Sequence, residues 1–472
     1  MILFFNFSFL ENRHTFLKKV VLLLIVSSVM LVIILDSNFL MGFLKEKLLF
    51  INYKIIIFSI YVSIFIISGI ILLNWTYKIT YLKDIKNKNS KIYFGLIFLI
   101  YSILSSTLII TTIQLSYLKS YSNLVFYLSS YISFISSLCF LSILSFKFFQ
   151  WYLKGKNRYT LFYGVLFSLY CVTLILALIY LLSGLATHPS TVNYTSPREL
   201  RAGTYSINIE FQNNIAILYD IFFIILFLLA WILTVLMLKQ YSRRIGIYKF
   251  WIIVSLPLLF YLMRYEGIII DLFNLDDILK LSSLGTIYPN IGAAIYAAFI
   301  NSNIQATGVF FGLSFLAILL KLKNSQLQND MLITIIGMMI LFASRDFHSI
   351  FLNSLPPNGV ITTSFMVLGS FMLFNGIISF LKLAVRDKEF YGDLITRLES
   401  DTELLKNIIV SEKEMELGKK IKPLMDYSHQ WQKEHEYGSM KPEEIKQIIK
   451  DVISEYRERK IPSSFSSESN QK

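Results

Sequence analysis

Apolar residues in this chain neither alternate along strands nor follow a single helical stripe. They come in long runs separated by short polar breaks. A bilayer core about 30 Å thick is crossed by a helix of roughly 20 mostly apolar residues. Runs of that kind lie at about 17–37, 54–77, 92–113, 123–149, 159–185, 215–238, 247–264, 304–322, 331–350 and 360–381. A further apolar stretch at 281–303 is broken by Pro289, Asn290 and Gly292, which fits backbone that enters the membrane without spanning it. The first run is apolar from Val20 to Leu35, longer than the ~7–15 residues of a signal-peptide core, and no small-x-small site follows, so a signal anchor is expected. The fold class predicted is all-α: a polytopic transmembrane helix bundle over 1–381 with about ten spans and one re-entrant or interfacial segment, followed by a cytoplasmic helical tail.

Composition narrows the class further. Of 472 residues, 55% are hydrophobic and 16% charged, against about 25% charged in a soluble domain. A soluble enzyme is excluded. The net charge of +13 is unevenly placed: residues 1–381 hold 27 Lys+Arg against 13 Asp+Glu, and residues 382–472 hold 17 against 18. A basic excess confined to the hydrophobic part signals positive-inside orientation, and no nucleic-acid partner is expected. Lys78, Lys83, Lys86, Lys88 and Lys91 follow the second run, Lys147, Lys154, Lys156 and Arg158 the fourth, and Lys239, Arg243, Arg244 and Lys249 the sixth. Every second loop is basic, which places those loops, the N-terminus and the tail in the cytoplasm of a plasma-membrane protein. The loop at 186–214, with its Asn193-Tyr194-Thr195 sequon, then faces outside. That orientation requires one crossing, not two, between 281 and 322.

The tail is different material. Tyr391, Leu394, Leu398, Leu405, Ile408 and Met415 fall on a heptad seam, with Asp401 and Glu412 at two other seam positions. This predicts a coiled-coil-like helix over 382–422. Residues 423–472 read as a linker, an amphipathic helix carrying Ile445, Ile449, Val452 and Tyr456, and a disordered Ser-rich end. Partners expected are the lipid bilayer and, through the tail, a second copy or a cytoplasmic protein.

Catalytic signatures are missing: no Walker A loop, G-x-G-x-x-G, H-E-x-x-H or G-x-S-x-G occurs. Cys139 and Cys171 both sit in apolar runs and supply no disulfide framework. His429, Glu434, His435 and Glu436 cluster, but their spacing matches no standard metal site. No enzyme activity, cofactor or metal is expected. Ionisable residues inside spans are costly in lipid and are the default site candidates. The candidate polar site comprises Arg345, Asp346 and His348 toward the end of the ninth run, Asp220 in the sixth, and Arg264 with Glu266 closing the seventh. Arg345, Asp346 and His348 line an outward anion or proton site if the ninth helix continues to 350; they are solvated loop residues if it ends near Ser344. Asn375 reads as a hydrogen-bonding contact between helices.

Three segments carry a resemblance: Phe250-Trp251-Ile252-Ile253-Val254-Ser255-Leu256-Pro257-Leu258; Leu355-Pro356-Pro357-Asn358-Gly359 followed by Thr362 to Leu373; and the Ala384-to-Glu389 junction into a helical tail. Together they make the chain similar, over roughly 245–425, to a family of multi-spanning membrane proteins of ammonia-oxidising archaea. The resemblance implies an architecture and no assigned activity. Because many spans lead directly into a charged, heptad-bearing helix, the expected function is a membrane sensor or scaffold coupling the bundle to its tail; the broken 281–303 segment and the polar groups within spans make a transporter or channel the alternative.

Overall fold

The computed structural model describes residues 13–36, 51–81, 88–118, 120–187, 191–193, 209–239, 246–262, 303–319, 325–344, 359–386 and 408–415. Ten long helices account for nearly all of them: α1 (Arg13–Ile34), α2 (Ile51–Tyr81), α3 (Lys88–Leu118), α4 (Asn123–Gly155), α5 (Arg158–Thr187), α6 (Ile209–Leu238), α7 (Ile247–Leu262), α8 (Asn303–Leu319), α9 (Ser325–Ala343) and α10 (Val360–Arg386). Each coincides with one of the ten runs. Seven are long and apolar enough to cross a membrane: α2, α3, α4, α5, α6, α9 and α10. The described parts of α1 and α7 are shorter apolar helices, and α8 has 17 residues. The helical, apolar bundle is compatible with an integral, multi-pass membrane protein.

One short two-stranded ladder accompanies the helices. Strand β1 (Ser120–Ser122) pairs antiparallel with β2 (Thr191–Asn193), in the register Ser120 to Asn193 and Ser122 to Thr191. The physical reason is local: these residues follow the ends of α3 and α5, where the chain has left its helical hydrogen bonds and two extended segments can satisfy each other's backbone.

Side-chain contacts fix how neighbouring helices run. In α2 and α3, Tyr77 meets Phe94 while the Tyr101 hydroxyl donates to the Phe65 carbonyl, an antiparallel pair. In α4 and α5, the Ser145 hydroxyl meets both the Gly164 carbonyl and the Ser168 hydroxyl. Only Lys156 and Asn157 separate that pair: Lys156 turns the chain in the left-handed region (φ 49°), and Asn157 Oδ1 accepts the Tyr159 N–H at 2.7 Å as a helix cap. In α6 and α7, Phe223 and Phe227 meet Tyr261, and Trp231 Nε1 donates to the Val254 carbonyl at 2.9 Å. That carbonyl lies one turn before Pro257, whose ring disturbs the helical ladder.

The centre is α8–α9–α10, packed through glycine. A Cβ on Gly308 of α8 would stand 2.6 Å from the Ala343 nitrogen of α9, and one on Gly337 of α9 only 2.4 Å from the Leu373 nitrogen of α10. Gly369 and Gly376 of α10 face Leu341 and Thr334 of α9 just as closely. Backbones approach because side chains are absent, which is how helices gain dispersion energy where lipid removes the hydrophobic drive. α8 and α9 run antiparallel, as do α9 and α10. The pairs Phe65–Phe365 and Thr80–Asn375 set α2 parallel to α10, and Phe140–Phe371 with Ser133–Thr363 does the same for α4.

These senses gather basic residues at one end. Lys78 closes α2, Lys154 closes α4, Arg158 opens α5, Lys88 and Lys91 open α3, and Lys382 and Arg386 close α10. Lys54, near the start of α2, is an exception.

Candidate functional site

Two features stand out, one at each end of the bundle. At the end opposite the basic residues, α10 begins at Val360 after Gly359, whose φ of +76° is one that side-chain-bearing residues rarely adopt. The glycine of the double-proline loop is thereby explained. The first N–H groups of a helix lack intrahelical partners and carry partial positive charge. Asp36, in the π-turn that ends α1, supplies the partner. Its Oδ2 accepts the Thr362 N–H at 2.8 Å and the Thr362 hydroxyl at 2.9 Å. The carboxylate is only 1% exposed, and a charge so buried is retained only when paired or hydrogen-bonded. Asp36 is thus an N-cap provided by a different helix.

Around this cap runs a seam of small polar residues. Ser133 of α4 donates to the Thr363 carbonyl, and the Thr363 and Ser364 hydroxyls bond back to the Val360 carbonyl. Ser129 and Ser137 of α4 are also buried, and their hydroxyls have no hydrogen-bond partner among the described residues. The arrangement can hold three helices in register.

At the basic end lies a cavity of about 20 Å³ walled by Phe148, Phe315, Met331, Thr334, Ile377 and Phe380, with Leu381 and Ile408 completing it. The volume would admit one water, but a water needs polar partners. Thr334, the lone polar wall, already bonds the Asp330 carbonyl at 3.1 Å. The cavity is dry in chemical character. Asp330, one turn earlier on α9, is fully buried.

Of the residues expected to form a polar site, Asp220 lies half-buried on α6, next to the buried Tyr219. Arg264, Glu266, Arg345, Asp346 and His348 lie outside the described residues, as do 281–302 and the His429–Glu436 cluster. α9 ends at Ala343, with the Ser344 N–H bonding back to the Ile340 carbonyl. Asn375 meets its expectation: its amide donates to the Thr80 hydroxyl of α2 at 2.8 Å. Among the described residues no three His, Cys, Asp or Glu side chains converge as a metal site would require.

Sequence reasoning passed over Asp36 and Asp330 because each sits at the edge of an apolar run, where solvent exposure is the default assumption. It also missed Gly308-x-x-x-Gly312, a small-x-x-x-small signature that would have marked α8 as a packing helix. Comparison of the chain with protein-family models, with curated proteins and with solved structures finds no match.

Proposed function

We propose that the chain is a membrane sensor or scaffold, with its basic end in the cytoplasm and its bundle coupled to the helical tail. The observation that carries the reading is the closed centre. Where a transporter needs a polar cavity at mid-membrane, α8, α9 and α10 meet backbone to backbone at Gly308, Gly337 and Gly369, and the cavity at their basic end has apolar walls. Orientation rests on the clustering of Lys78, Lys154, Arg158 and Lys382 at one end. The likeness to the archaeal multi-spanning family is part of the same proposal and adds architecture only.

Hydrogen exchange of the full chain in nanodiscs tests the coupling. Gly376→Ala presses α10 against the Thr334 side chain and nitrogen at the end from which the tail leaves. In a sensor, exchange across 387–459 should change although the bundle stays folded. An unchanged tail would remove the reading. Orientation is tested separately in a Cys-free background: Ser190→Cys should be labelled from outside and Ser463→Cys should not. The alternative, a transporter or channel, draws on the buried hydroxyls of Ser129 and Ser137 beside Ser133. Selective solute flux in proteoliposomes would establish it.

A further inference from the structure

Beyond α10, residues 408–415 form a short helix, and its first two residues belong to the same compact unit as the ten bundle helices. Ile408 is 3% exposed and Ile409 is fully buried. Ile408 forms one wall of the apolar cavity at the basic end. The other walls come from four helices: Phe148 near the end of α4, Phe315 near the end of α8, Met331 near the start of α9, and Ile377 and Leu381 near the end of α10. Ile377, Phe380 and Leu381 are spaced i, i+3, i+4, so one face of α10 is turned to this seat.

The heptad reading placed Ile408 on the seam of a coiled-coil-like helix, with a second copy or a cytoplasmic protein as its expected partner. The structure gives it to the bundle. An isoleucine enclosed by four helix ends responds to how those ends splay, because packed interiors transmit displacement and do not absorb it. The seat is also imperfectly filled, since empty space remains beside Ile408 and its lining forgoes dispersion contacts there. A contact that is apolar, terminal and underpacked is one that can open locally while the rest of the bundle stays intact.

We propose that Ile408 and Ile409 are a releasable latch: they hold the chain at 408–409 against the ends of α4, α8, α9 and α10, and rearrangement of those helix ends frees it. The latch rests on the sensor or scaffold reading, because it names how that coupling is held. It requires no ligand. The signal it passes is the separation of four helix ends.

Two measurements on the full chain in membranes test it, with Cys139 and Cys171 replaced by Ser. In the first, Ile408→Cys and Ile377→Cys are joined by a short bifunctional thiol reagent and a protease site is cut between 390 and 400. The two fragments should remain covalently joined within one chain. Separate fragments, or a covalent dimer through position 408, would overturn the latch. In the second, Ile409→Cys is labelled with a water-soluble maleimide. Labelling should be slow, and adding Ile408→Asp should speed it about tenfold by shifting the local opening equilibrium, with the thermal midpoint of the bundle nearly unchanged. If Ile408→Asp prevents folding, Ile408→Ala serves the same purpose with a smaller acceleration. Equal rates with and without the substitution would also overturn the latch. Failure of the sensor reading shows differently: solute flux in proteoliposomes, with the 408–377 cross-link still forming, removes that reading and leaves the latch standing.

Discussion

The hairpins α2–α3 and α9–α10 are both apolar helix pairs and put their apolar sequence to opposite uses. In α9 and α10 about three-quarters of the spanning residues are buried, 72% and 78%, whereas in α2 and α3 the shares are 44% and 33%. α3 turns Ile92, Leu96, Leu99, Ile103, Ile110 and Ile113 outward, a row at helical spacing exposed by 40% or more. No large hydrophobic of α10 is exposed in this way among the described residues. The more buried pair is also the less hydropathic, and its close contacts are made at Gly337, Gly369 and Gly376, with Thr334 facing the last of them. In water the order would be reversed. Lipid rewards apolar surface on the outside and close backbone approach on the inside.

The comparison breaks most sharply at Gly337. A Cβ there meets the Leu373 nitrogen at 2.4 Å and the Gly369 carbonyl oxygen at 2.9 Å, and backbone on two residues cannot step aside. Gly337→Val should cost about 3 kcal/mol or more, at the top of the overpacking range, and should remove the thermal transition of the purified protein in detergent. Gly95→Ala on α3, where nothing lies within 4 Å, should shift that transition by less than about 0.5 kcal/mol, the range of changes that touch no packing. Equal losses at the two positions would mean that the α9–α10 contact is not the structural centre.

Asp36→Ala comes next. It leaves the Thr362 N–H and hydroxyl without their buried acceptor, which should cost about 2–3 kcal/mol, as for hydrogen bonds to a charged group. Asp36→Asn keeps an acceptor and should recover about half of that loss in the same melting experiment. An Asn variant no better than Ala would show that the charge, not the hydrogen bonding, matters at the start of α10.

A smaller effect is expected inside the outer hairpin. The Tyr101 hydroxyl donates to the Phe65 carbonyl and sits where Gly69 leaves room. Tyr101→Phe keeps the ring stacked on Phe65 and should cost about 1 kcal/mol, the net worth of one hydrogen bond. Leu99→Ala on the exposed face of the same helix should cost less still, since the side chain is mostly exposed and its removal opens no buried cavity.

The runs were legible in the sequence because bilayer thickness imposes a length that few other constraints produce. Their ends were less so. α9 starts at Ser325, not near 331, because Gln326, Gln328 and Asp330 interrupt the hydropathy while the helical hydrogen bonds continue past them. Which helices would be central was not readable from apolar content. It was encoded in Gly308, Gly312, Gly337, Gly369 and Gly376, residues that a hydropathy window counts as nearly neutral. Asp36 could not be paired with Thr362 from sequence, because a cap normally lies within a turn of the helix it caps and this one comes from the other end of the chain. Ile408 was legible as apolar and periodic, but periodicity names a face and not its occupant.

That distant cap sets a timetable for synthesis. Asp36 and Thr362 are 326 residues apart, so at roughly 5–20 residues per second the ribosome needs on the order of 15–65 s to deliver the partner. For that interval α1 is already made and the helix it will cap is not. Placement past the last turn of α1 leaves the carboxylate outside the apolar run Val20–Leu35, whereas one halfway along the helix would lie within it. The closing of that bond marks a chain whose α1 and α10 have both been made, and a chain halted before residue 360 lacks the Thr362 partner altogether.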